Sequence, residues 1–227
     1  MRRSSSRGDK TVGMRIKLDG VEGELVMPDT KEKTGGVVLV QEYWGLNDHV
    51  RDIAKRLAAQ GFRVFAVDLY HGKVTSKPEE ARELMGSLDW PKALGEIIAA
   101  ATHLRDHETS NGKVAVMGFC MGGALTFAAA ANIPWLAAGV PFYGVPDEKL
   151  ADYTKEKAPI LAHFATNDQW ASVDKGKAIQ AKVPAMELHV YEAGHAFFND
   201  TRPEVYSPND AKTAWDRSIA FLKKHLS

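Results

Sequence analysis

The sequence predicts an α/β protein: a mostly parallel open sheet with helices on both faces, entered through a short N-terminal antiparallel hairpin. Three observations predict it. Short apolar runs at 37–40, 64–69 and 114–119, rich in β-branched residues, read as strands buried on both faces. Between them lie stretches whose apolar residues recur at helical spacing, and strands alternating with helices imply parallel βαβ units. Near the start, Asp19-Gly20 separates two alternating segments, a strong hairpin signal.

In chain order, segments 12–18 and 22–27 form the hairpin arms, and 28–36 is a polar connector. After the strand at 37–40, Asn47 or Asp48 caps a helix whose inner face is Val50, Ile53, Ala54 and Leu57, and Gly61 closes it. The strand at 64–69 leads through a polar stretch with Pro78 into a short helix at 79–85. Asp89 caps a longer helix entered at Pro91, with Leu94, Ile97, Ile98, Ala101 and Leu104 inward. Asn111-Gly112 turns the chain into the strand at 114–119, and 122–132 is an Ala- and Leu-rich helix. Strands follow at 137–143, 160–166 and 186–191, with a helix at 175–182. A terminal helix spans 208–226, with Ser207 as its expected cap before a first-turn proline.

Composition narrows the function. Of 227 residues, 44% are apolar and 26% charged, and 29 Lys plus Arg balance 29 Asp plus Glu. A net charge of zero argues against a general nucleic-acid or anionic-membrane surface. The longest apolar stretches, 97–101 and 128–131, fall far short of the roughly 20 residues that a membrane span needs. Residues 1–10 are basic with no apolar run behind them, so the expectation is a disordered leader, not a signal peptide. Residues 11–227 are then one domain, expected to be a cytoplasmic monomer. Cys120 is the single cysteine, which leaves neither an internal disulfide nor a Cys-rich zinc site.

In an open α/β sheet, ligands sit at the carboxyl ends of the strands. There the sequence puts Met117-Gly118-Phe119-Cys120-Met121-Gly122-Gly123, between a strand and a helix. This is the strand–turn–helix context of a nucleophile elbow, with Cys at the nucleophile position. The glycines let strand and helix approach closely, the helix N-terminus favours a thiolate, and the Met121 backbone N–H can face a developing oxyanion. Asn167-Asp168 follows the strand at 160–166, and Gly194-His195 follows the strand at 186–191. A nucleophile, an acid and a histidine thus reach one sheet edge in that order: Cys120 as nucleophile, His195 as base, Asp168 as its orienter. Of the other histidines, only His71 is expected to reach this edge; His163 and His189 fall inside strands.

This constellation resembles the dienelactone hydrolase family of the α/β-hydrolase fold, the carboxymethylenebutenolidase-like enzymes. The matching pieces are Gln41-Glu42-Tyr43-Trp44-Gly45, Asp68-Leu69-Tyr70, Asn111-Gly112-Lys113-Val114, the Cys120 elbow, Phe142-Tyr143-Gly144-Val145, Asn167-Asp168 and Gly194-His195. The resemblance implies a hydrolase that cleaves a lactone or small carboxylic ester through a Cys-His-Asp triad and a thioester acyl-enzyme, with no metal and no organic cofactor. It implies that Glu42 is an extra carboxylate contacting the thiol, and that the Tyr43 N–H joins that of Met121 in the oxyanion hole.

The best-known members hold a substrate carboxylate with two arginines, one after the Asp-Leu-Tyr block and one four residues after the histidine. Here those stretches read His71-Gly72-Lys73 and Asn199, with Lys73 and Arg202 as the nearest cations. The expected pocket residues are therefore Trp44, His71, Lys73, Phe142, Tyr143 and Arg202. The competing reading is a non-catalytic ligand-binding or thiol-sensing protein on a hydrolase fold.

Overall fold

The structure is a computed structural model that describes residues 13–18, 20–155 and 158–227. The expected leader 1–10 and Asp19 of the hairpin turn lie outside the described residues. The strands are β1 (Met14–Leu18), β2 (Val21–Val26), β3 (Thr34–Val40), β4 (Arg63–Val67), β5 (Ser110–Phe119), β6 (Ala138–Phe142), β7 (Ile160–Asn167) and β8 (Met186–Gly194). The helices are α1 (Asp48–Ala59), α2 (Pro78–Gly86), α3 (Trp90–Asp106), α4 (Met121–Asn132), α5 (Val173–Lys182) and α6 (Pro208–Leu226).

The eight strands form one sheet in the order β1-β2-β4-β3-β5-β6-β7-β8. β1 with β2 and β2 with β4 pair antiparallel, and every other pair is parallel. Strand alternation fixes which helix covers which face. A Cβ on Gly35 would meet Leu226 of α6, whereas one on neighbouring Gly36 would meet Leu104 of α3. Successive residues of a strand point to opposite faces, so α3 and α6 lie on opposite sides of the sheet. Arg56 of α1 lies over Trp215 of α6, 4.5 Å from the ring centroid, which puts α1 on the α6 side. Burial on both faces explains why Val37–Val40, Val64–Val67 and Val114–Met117 are fully enclosed without alternation.

Local signals set most boundaries. Asn47 accepts from the Val50 N–H (3.2 Å) and Asp89 from the Lys92 N–H (3.0 Å), as N-caps do. Ser172 caps α5, which therefore starts at Val173, ahead of the expected 175. Ser207 departs from expectation: its hydroxyl donates to Asp210 (2.6 Å) and caps no backbone N–H. The Asn111-Gly112 turn survives as a bulge inside β5. Thr34 pairs with Ser110 and Gly36 with Val114, so two steps on β3 match four on β5. Asn111 Oδ1 accepts from the Lys113 N–H there, and Gly112 takes φ +85°. No helix among the described residues is long and apolar enough to cross a membrane.

Candidate active site

Five chain segments end at the carboxyl edge of the sheet and meet there. Residues 41–44 follow β3, Cys120 follows β5, Tyr143 follows β6, Asp168 follows β7 and His195 follows β8. Cys120 sits between β5 and α4 at φ 55°, ψ −113°, a conformation that costs a non-glycine residue on the order of 1–3 kcal/mol. Its N–H donates to the Phe142 carbonyl (3.0 Å), which pins the turn. The turn also requires bare backbone beside it. A Cβ on Gly118 would stand 2.2 Å from the Gly122 carbonyl oxygen, and one on Gly122 would stand 2.4 Å from that of Val40.

Asp168 is 5% exposed. Its Oδ1 accepts from the backbone N–H groups of Trp170 (2.8 Å) and Ala171 (2.9 Å), and its Oδ2 lies 2.7 Å from His195 Nδ1. Burial pushes the Asp168 carboxyl up, but the His195 bond and charge and the two amides hold it below the usual value. A carboxylate only accepts, so Nδ1 carries the proton and Nε2 is left for the thiol. A second bulge delivers the imidazole. Ala165 pairs with Tyr191 and Asn167 with Gly194, two steps on β7 against three on β8. Burial alone would depress the His195 pKa; hydrogen bonds and charge from Asp168 and Cys120 override it and raise it to about 10. Cys120 and His195 thus face one cavity, and Asp168 holds the Nδ1 side of the ring.

Glu42 is 3% exposed. Tyr143 Oη donates to its Oε1 (3.1 Å) and Asn199 Nδ2 to its Oε2 (2.8 Å). Among the described residues, no hydrogen bond joins Glu42 to the thiol. Burial, then the charge of Glu42, push the Tyr143 phenol well above its ordinary value, so it stays a neutral donor. The loop carrying Asn199 is tied to α1 through Asp200, whose carboxylate lies 3.1 Å from His49 Nδ1 and 3.5 Å from Arg56. The backbone N–H groups of Tyr43 and Met121 carry no hydrogen bond among the described residues.

These groups floor a cavity of about 370 Å³. Its walls are mostly apolar: Trp44, Met85, Trp90, Val145 and Trp170. Two cations share it, Arg82 from α2 and Arg202, whose guanidinium lies 5.1 Å from the Trp44 ring centroid. Of the expected pocket residues, Trp44, Tyr143 and Arg202 line this cavity.

His71, Lys73 and Phe142 do not, and each has a physical reason. Asp68 is ion-paired with Arg15 of β1 (2.7 Å) and accepts from the N–H groups of Tyr70 and Gly72, which turns the loop after β4 away. His71 then lies 3.0 Å from Glu22, and His71 and Lys73 line a separate cleft. Phe142 is the last residue of β6 and points into the core, 0% exposed and stacked on His163; alternation sends Tyr143 to the cavity instead. Sequence reasoning passed over Arg82, Met85, Trp90, Val145 and Trp170. It named Asn199 only as a replaced arginine, not as the partner of Glu42.

Comparison with known proteins gives the chain its family. The sequence profile of the dienelactone hydrolase family matches residues 21–226. Protein usf of Aquifex pyrophilus is 35% identical over 227 aligned residues, covering 94% of this chain and 98% of that protein. Carboxymethylenebutenolidase of Pseudomonas putida is 31% identical over 214, covering 88% and 90%. Among solved structures, a dienelactone hydrolase-like promiscuous phosphotriesterase from metagenomic libraries superposes with a TM-score of 0.80. At 23% identity, over 96% of this chain and 99% of that one, it is a likeness of fold alone.

Proposed function

Because the chain belongs to the dienelactone hydrolase family and is a carboxylic ester hydrolase, we propose that it cleaves a lactone or small ester by covalent catalysis on Cys120. One observation carries the reading. The lone thiol, held at a strained turn over a helix N-terminus, shares its cavity with an imidazole whose Nδ1 lies 2.7 Å from a buried carboxylate.

The Cys120 proton passes to His195 Nε2 and the thiolate adds to the substrate carbonyl. The Met121 and Tyr43 N–H groups hold the oxyanion; one such donor is typically worth about 3 kcal/mol. Collapse expels the alkoxide or enolate, which takes the proton from His195, and a thioester remains on Cys120. Water, deprotonated by His195, then attacks the thioester. The second tetrahedral intermediate releases the acid, and the proton returns to the thiolate. Asp168 keeps the ring in the working tautomer throughout.

The cavity supports a substrate class. Its apolar, Trp-rich walls suit a small planar body, and Arg82 and Arg202 suit an anionic substituent. The test is hydrolysis of a dienelactone and of a short-chain p-nitrophenyl ester by wild type and Cys120→Ala, with mass spectrometry of the quenched wild type. Turnover by wild type alone, with an acyl adduct on Cys120, is expected. Full activity in Cys120→Ala overturns the nucleophile assignment.

A further inference from the structure

Two loops bring different halves of the candidate active site to the cavity. The loop after β3 carries Glu42 and Tyr43 and runs directly into α1. The loop after β8 carries His195, Asn199 and Arg202. Two side-chain bonds brace one loop against the other. Asn199 Nδ2 donates to Glu42 (2.8 Å). One residue on, Asp200 Oδ1 lies 3.1 Å from Nδ1 of His49, in the first turn of α1.

Backbone turns stiffen both routes into the site. The Gly45 N–H donates to the Glu42 carbonyl (3.4 Å), the Asn47 N–H donates to that of Gly45 (2.9 Å), and Asn47 caps α1. On the other side, Ala196 takes φ 64° directly after His195. The Asn199 N–H donates to the Ala196 carbonyl (2.9 Å), and the Arg202 N–H to that of Asn199 (3.2 Å). A shift of His49 against Asp200 therefore moves Tyr43 against His195.

His49 is 3% exposed, and a carboxylate only accepts, so the ring donates from Nδ1. Its Nε2 is buried with no hydrogen-bond partner, so Asp200 is the ring's one polar tie among the described residues. A phenyl ring would fill the same space without an idle nitrogen; what the imidazole adds is the donor to Asp200. Arg56, 3.5 Å from the other oxygen of Asp200, is partly exposed, and an ion pair so placed is screened by water. Neither His49 nor Asp200 lines the cavity.

We propose, on the basis of covalent catalysis at Cys120, that His49 is a positioning residue: its bond to Asp200 sets the loop that offers the Tyr43 N–H to the oxyanion against the loop that supplies His195.

The test is steady-state hydrolysis of a short-chain p-nitrophenyl ester, well below each variant's Tm. His49→Phe should lower kcat about tenfold or more with KM within about twofold, because a small misplacement of a reacting group is costly in rate. The asparagine amide nitrogen reaches the place of Nδ1, so His49→Asn should recover most of that loss. Asp200→Ala should match His49→Phe, and the double variant should lose no more than either alone. A residue that only stabilised the fold would lower Tm and leave kcat unchanged. With Cys120→Ala inactive, a wild-type kcat in His49→Phe overturns this proposal alone; full activity in Cys120→Ala overturns the nucleophile assignment and this proposal with it. Equal losses in His49→Asn and His49→Phe, or additive losses in the double variant, also overturn it. Asp200→Ala, at an exposed position, decides the matter by its own kcat if His49→Phe fails to fold.

Discussion

Replacing Asn199 with alanine isolates the device that holds Glu42. Asn199 is 1% exposed and donates to Glu42 Oε2 at 2.8 Å, while its own Oδ1 accepts from Thr201 N (3.1 Å) and Oγ1 (2.7 Å). A hydrogen bond to a charged group contributes about 1.5–3 kcal/mol, and a neutral one about 1 kcal/mol. Thr201 is exposed, so its two donors recover water when Asn199 is lost, and the Glu42 bond dominates. The expected loss is therefore about 2–3 kcal/mol, or roughly 5–10 °C in Tm for a domain of this size. Urea and thermal unfolding measure it, with Thr201→Val as the control, expected to cost under about 1 kcal/mol. Glu42 keeps only the Tyr143 hydroxyl in the variant and turns into the cavity beside Cys120. Ester-hydrolysis kcat/KM should then fall about tenfold, equivalent to about 1.4 kcal/mol of transition-state stabilisation. A stability loss below about 1 kcal/mol with unchanged kcat/KM would refute the reasoning, because Glu42 would not then depend on Asn199.

Three other outcomes follow from the same geometry. Gly122→Ala puts a methyl 2.4 Å from the Val40 carbonyl oxygen and 2.7 Å from that of Gln41, both backbone; urea unfolding should show a loss of about 3 kcal/mol, with turnover largely lost. Trp170, 74% exposed at the cavity rim, contributes contact area more than stability. Trp170→Ala should leave Tm unchanged and raise KM for an aryl ester about three- to tenfold, with little effect on an ethyl ester. The His195 pKa is raised in the folded state from 6.5 to about 10, so the native protein binds that proton more tightly. The resulting stability is fully present below pH 6.5 and lost as pH rises toward about 10; a pH series of urea midpoints should show this decline, flattened in Asp168→Asn.

Much of the fold was legible because its signals are local. Asn47 and Asp89 announce their helices within three residues, and Val37–Val40 carries its double burial in its composition. Cys120 stood out because bare backbone on both sides of a strand–helix junction has a steric reason. The placement of Asp168 and His195 followed from strand order. What was missed depends on distant partners. His71 and Lys73 face away because Asp68 is held by Arg15, more than fifty residues earlier. The Phe142–Tyr143 pair was read whole, although a strand sends its residues alternately to core and cavity. Arg82 and Trp170 look in sequence like any exposed helix or loop residue, and only the packing of α2 and of the loop after Asp168 gives them a common wall.

Helix α4 is buried on every side from Met121 to Ala131, so the segment that presents the thiol has no solvent-facing edge to fray. Local opening, the usual low-energy route to a disturbed site, is closed to it. Cys120 can leave its strained turn only when the central layer of the molecule separates. Amide exchange along α4 should thus run at the rate of global unfolding, and heat inactivation should track loss of the whole structure, with no earlier step in which the site melts alone.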